Sequence, residues 1–201
     1  YDASGNPVAI ATGTDGQVLT SAGAGAQPAF EDAGGGAWAV LSSGTFSSES
    51  SVFITGITKT TQIIFSGVTV TSNNTLIGVR YSNNGGTSYI DTGYYSGIRF
   101  IKSDAGVGHV ARVNDNRIRT DNNSVGNSAG KVAALDLTIY NPQDAGTYTA
   151  MRINTQHVDD TGTTMHYFGG AIYPVATAIN AIRVYPAGGT FSGTYTVFEL
   201  N

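Results

Sequence analysis

From Trp38 to its last residue the chain never sustains an apolar repeat of helical period. It runs instead in short stretches that alternate apolar and polar residues, each closed by glycine, asparagine or proline. A period of two places successive side chains on opposite faces of a strand, so a chain written this way folds as sheet. "SVFITGI" (51–57) alternates around Phe53 until Gly56 breaks it. "TQIIFSGVTV" (61–70) sets Ile63 and Phe65 on one face, then slips phase at Ser66-Gly67 before Val68 and Val70, the mark of a β-bulge. "TLIGVRYS" (75–82) puts Ile77, Val79 and Tyr81 on one face, and "NNGG" (83–86) supplies a turn with positive-φ positions. Further strand segments are expected at Trp38/Val40, 97–102, 108–113, 131–140, 147–154, 163–173, 181–186 and 193–200. Regular short strands with turn chemistry between them predict an all-β fold, a jelly-roll-like antiparallel β-sandwich head over residues 38–201.

Residues 1–37 are different. "GTDGQVLTSAGAGAQPAFEDAGGG" (13–36) has three large apolar side chains, Val18, Leu19 and Phe30, and neither a helix nor a strand period. So little apolar surface does not offset an ordering cost of about 1–2 kcal/mol per residue. The segment is therefore expected to be an extended, little-structured shaft, ordered only with further copies of itself. Val18, Leu19 and Phe30 would meet their equivalents there, and Gly34, Gly35 and Gly36 would let the head pivot. Because the first residue is Tyr, the chain is expected to begin inside a longer product. The last strand ends at the final residue, which suggests a natural C-terminus.

Several function classes fall away on composition. With no cysteine there is no disulfide framework, thiolate metal site or cysteine nucleophile. A net charge of −4 gives no overall pull toward nucleic acid. No apolar run is long enough to cross a membrane as a helix, and no basic, apolar leader begins the chain. "GVGHVA" (106–111) matches a dinucleotide fingerprint in letters, but the "RVNDNRIRTDNNS" that follows is too poor a helix to aim at a pyrophosphate. His157, Asp159, Asp160 and His166 are ligand types without a recognisable ligand spacing. With three glutamates and no nucleophile elbow, nothing specifies an enzyme, so no catalytic residue, cofactor or metal is expected.

Two clusters are candidates for binding. Tyr81, Tyr89, Tyr94 and Tyr95, flanked by Asn83 and Asn84, combine aromatic faces with amides, the means by which shallow sites hold sugars. Arg99, Lys102, Arg112, Arg117 and Arg119 are half of all the positive charges and would meet phosphate or carboxylate groups if their segments lie together. The bland alternatives are core or interface tyrosines and solvated loop charge.

"GTDGQVLTSAGAGAQPAFED" resembles the Gly-x-x-Gly-Gln-Val-Leu-Thr-Ser-x-Gly shaft element that precedes the heads of bacteriophage tail and neck fibres. "FITGITKTTQIIFSGVTVTSNNTLIGVRYSNNGG", "LDLTIYNP" and "YPVATAINAIRVYPAGGTFSGTYTVFEL" are similar to strands of those heads. The resemblance spans nearly the whole chain and is specific in the shaft and the closing strands. It is weak across 87–130, and Val197-Phe198-Glu199-Leu200 stands where related heads end on Leu-Tyr-Gly. It implies a homotrimeric virion fibre with a distal jelly-roll head, assembled in the bacterial cytoplasm and joined to other virion proteins through a preceding N-terminal part. The head would bind a host surface polysaccharide or outer-membrane protein, or else serve as a structural neck, collar or head fibre. No binding residue carries over from the family.

Overall fold

The computed structural model describes Ser4 and residues 9–21, 23, 26–32, 36–122 and 125–201. Contacts divide the chain into two units, Tyr1–Ala37 and Trp38–Asn201. In the first, β1 (Gln17–Thr20) and β2 (Ala29–Asp32) form an antiparallel pair in which Leu19 faces Phe30 across the ladder. Within the segment expected to be extended and little structured, the described residues thus include one small hairpin. Two strands alone are marginal in water, and Val18, Leu19 and Phe30 all remain exposed. Gly34 and Gly35, two residues of the expected pivot, lie outside the described residues.

The second unit is an all-β sandwich. Its strands are β3 (Trp38–Glu49), β4 (Val52–Thr55), β5 (Thr61–Val70), β6 (Ile77–Ser82), β7 (Tyr94–Lys102), β8 (Val107–Asp115) and β9 (Ile118–Arg119). They continue as β10 (Ala133–Tyr140), β11 (Thr149–Val158), β12 (Thr164–Tyr173), β13 (Ala181–Pro186) and β14 (Phe191–Leu200). One antiparallel sheet runs β3-β14-β5-β10-β11-β12-β7-β8 and the other β4-β13-β6-β9. Their inner faces hold the core: Ile63, Phe65, Leu137, Ile153 and Tyr167 from the large sheet, Ile54, Val79, Ile118 and Val184 from the small one. The alternation predicted from sequence is visible along β11, where Thr149, Met151, Ile153, Thr155 and His157 are buried and the residues between them are not.

The phase slip in β5 is a bulge. Its pairing with both neighbours shifts register between Phe65 and Thr69, and Gly67 takes φ 60°. This extra residue returns Val68 and Val70 to the core side. The "NNGG" turn likewise uses positive φ at Gly85 and Gly86. Residues 107–111 of the fingerprint-like segment lie in the edge strand β8, not at a helix start. No helix among the described residues is long and apolar enough to cross a membrane.

Candidate functional site

The tyrosine cluster does not form a surface. Tyr81 is in phase with Ile77 and Val79, and all three point into the core. Tyr94 is equally buried, its ring edge-on to Tyr81 at 5.8 Å. Its hydroxyl accepts a hydrogen bond from the Tyr81 N–H (2.8 Å) and donates one to the Ile90 carbonyl (3.0 Å). Tyr81 and Tyr94 are therefore withdrawn as ligand contacts: burial leaves neither a face to offer. Tyr89 is half-buried beside Phe53, with ring centres 5.6 Å apart. Asn83 and Asn84 shape the turn between β6 and β7, where the Asn84 carboxamide accepts from Ser82 Oγ and the Ser88 N–H and donates to Ser88 Oγ. Only Tyr95 shows a broad surface.

The basic cluster divides between the sheets. Arg99 points outward from β7, opposite His109. Lys102 lies over the Phe100 ring, and the Arg112 guanidinium donates to Asn122 Oδ1 (3.2 Å). Arg119 lies in β9 of the small sheet, with Arg117 just before it, and Arg119 is bridged to Asp115 at the end of β8 at 2.8 Å. Burial alone would raise the Asp115 pKa, yet the hydrogen bonds from Arg119 and the Asn116 N–H, with the charges of Arg119 and Arg117, hold it below the usual range. The metal-ligand types also separate. His157 points into the core, stacked on Tyr167, while His166 on the adjoining strand points out. The Asp159 carboxylate accepts from the N–H groups of Thr161 and Thr163 and the Thr161 hydroxyl, closing a turn. Among the described residues no group of three or more His, Asp and Glu is placed to hold a metal.

A coherent surface lies on the solvent side of the large sheet. Strand register aligns Ile64, Asp136, Asn154, Phe168, Arg99 and His109 in one row across six strands. Phe168 is 38% exposed, and the His166 ring stands 5.7 Å from it. His166 Nε2 is 2.7 Å from Asn154 Oδ1. Gln62 Nε2 donates to Asp136 Oδ1 (2.9 Å), and Arg152 lies 3.8 Å from Asp136 Oδ2 while donating to Thr138 Oγ1. Asp136, Arg152, Asn154, His166 and Phe168 line a shallow depression of about 520 Å³.

A second groove, of about 580 Å³, crosses the small residues Ala150, Gly170 and Gly97 between Tyr95 and Ile172. Chemically the first surface offers an apolar ring for stacking and donors and acceptors held in place by their neighbours. Sequence reasoning passed over Gln62, Asp136, Arg152, Asn154 and Phe168. The signal was the outward phase of the same strands whose inward phase predicted the core.

No family model matches the chain, and no match is found among curated proteins or solved structures.

Proposed function

We propose that this chain is a non-enzymatic binding module, the distal head of a homotrimeric bacteriophage fibre, and that it grips a polysaccharide on the host bacterial surface. The observation that carries this reading is the uncovered row at Phe168. An aromatic ring on a flat sheet, ringed by amide, carboxylate, imidazole and guanidinium groups, suits the alternating apolar and hydroxylated faces of a sugar chain. The depression is shallow, so a single site binds weakly. Three heads on one fibre and several fibres on one particle make weak sites sufficient.

Trimer formation would use Val18, Leu19 and Phe30 of the hairpin. It would also use Trp38, Val40 and Leu41 at the start of β3, all exposed in the single chain. A preceding part of the fibre would join it to other virion proteins.

Light scattering of the purified chain is expected to give the mass of three copies. Phe168→Ala is expected to weaken binding to purified host surface polysaccharide about two- to tenfold, in line with the ~0.5–1.5 kcal/mol value of an aromatic contact. Thermal unfolding should stay nearly unchanged, as for other surface substitutions. A trimer that neither adsorbs to host cells nor competes with virions overturns this reading.

One observation favours a second reading, a structural neck, collar or head fibre without receptor. The same face exposes Tyr95, Ile101, Phe168 and Ile172, an apolar run that a neighbouring virion protein would cover. In that case Phe168→Ala impairs assembly of the particle and leaves adsorption alone.

A further inference from the structure

On the outer face of the small sheet, strand register sets Phe53, Arg183 and Arg80 side by side across β4, β13 and β6. Tyr185, two residues beyond Arg183, faces Gly78 of β6. The guanidinium carbons of Arg183, Arg80 and Arg117 lie 4.6, 5.5 and 5.5 Å from the centre of the Tyr185 ring. Gly78 makes the arrangement possible, because a Cβ there would come within 2.8 Å of Arg117 Cδ.

Each guanidinium is anchored by its Nε. Arg183 donates to Ser51 Oγ (2.7 Å), Arg80 to the Asn116 carbonyl (2.9 Å) and Arg117 to Asn116 Oδ1 (3.0 Å). Beyond these bonds none of the three makes an ion pair or another hydrogen bond among the described residues. Asp115, the acid beside them, is bound to Arg119. Three like charges around one ring repel each other. The ring's quadrupole compensates by only about 0.5–2 kcal/mol per cation.

Beneath them Tyr185 is 8% exposed, and its hydroxyl is buried without a hydrogen-bond partner. A set of oriented, half-buried donors is what an oxyanion needs. At the other end of the row Phe53 is 55% exposed, beside Tyr89 and 5.9 Å from the Arg183 guanidinium.

We infer that this face is a second binding site, which takes the phosphate or carboxylate of an acidic saccharide between Arg80, Arg117 and Arg183 and rests the sugar ring on Phe53. The chain as a whole carries a net charge of −4. A local positive site on such a molecule selects one anionic group and disfavours a long polyanion such as nucleic acid. The site stands apart from the Phe168 face, on the opposite sheet, so the two succeed or fail separately.

The test titrates the full chain with glucose 6-phosphate, glucuronate, glucose and inorganic phosphate, following the arginine Nε–Hε signals by NMR. The two acidic sugars are expected to move the signals of Arg80, Arg117 and Arg183, and glucose is expected to leave them in place. Arg183→Gln and Arg117→Gln should each weaken acidic-sugar binding about tenfold or more, the loss expected for one charge-assisted bond. Arg183→Lys keeps the charge without the planar fork; it should also bind less well, and it serves if a glutamine variant fails to fold. Phe53→Ala should weaken glucose 6-phosphate while leaving inorganic phosphate unaffected, and Phe168→Ala should change none of these titrations. Unmoved arginine signals, equal shifts with glucose, or unchanged affinity in the arginine variants overturn the site. Equal affinity for inorganic phosphate and glucose 6-phosphate overturns its assignment to a saccharide.

Discussion

Tyr94→Ala is expected to destabilise the head by about 3–5 kcal/mol, the range for truncating a buried aromatic side chain. A surface ligand contact, the role the tyrosine cluster suggested for Tyr94, would instead leave the melting curve nearly intact. The difference lies in burial. Tyr94 fills the core against Tyr81 and Tyr173, and its hydroxyl ties the Tyr81 N–H of β6 to the Ile90 carbonyl. Two conservative variants separate packing from hydrogen bonding. Tyr94→Phe keeps the ring but strands the buried Tyr81 N–H, at about 1–3 kcal/mol. Tyr81→Phe removes a hydroxyl that is buried without a partner, so it should be neutral or stabilising. Urea unfolding of the three variants checks the order, and a Tyr94→Phe protein as stable as the parent would break it.

The second large effect is on pH. Asp121 is fully buried behind the edge of β6. One carboxyl oxygen accepts the Ile77 N–H at 3.1 Å, and the other has no hydrogen-bond partner among the described residues. Burial pushes its pKa up to about 8 against an ordinary value of 3.8, outweighing the Ile77 hydrogen bond, the nearby Thr120 hydroxyl and the Arg119 charge, which act the other way. The folded protein therefore keeps this proton between pH 4 and pH 8 while the unfolded chain gives it up. Stability is greatest below the unfolded pKa and falls as pH rises toward the folded one, with a slope of up to about 1.4 kcal/mol per pH unit. The expected loss is roughly 2–4 kcal/mol between pH 5 and pH 8. Asp121→Asn mimics the protonated side chain and should flatten that slope. Denaturant midpoints measured from pH 4 to pH 9 decide it, and an identical slope in the variant removes Asp121 as the cause.

Much of the fold could be read from local pattern because sandwich strands carry their orientation in a period of two. Ile63, Phe65 and the Ser66-Gly67 slip forecast both the inner face of β5 and its bulge. The two-residue strand β9 has too few positions to show a period, and it forms because Ile118 packs into the core against β6. The hairpin in the first unit was hidden for a related reason: Val18 and Leu19 are adjacent, and adjacency is not alternation.

Binding surfaces were less legible, since each is assembled by register between distant strands. Arg80, Arg117 and Arg183 come from three separate segments and meet only through the pairing of β6 with β13 and with β9. The sequence instead grouped Arg117 with its neighbours along the chain. Tyr81 was the avoidable error, because its phase with Ile77 and Val79 already pointed it inward.

The longest strand of the head is also the one that receives the chain from the first unit. β3 pairs with β14 from Trp38 opposite Leu200 to Glu49 opposite Phe191. Force applied at Trp38 along the axis of β3 would be borne by this ladder. The hydrogen bonds of the ladder are then strained together in shear rather than opened one after another. In the fibre proposed above, a tug along that axis would load the ladder in its more resistant direction.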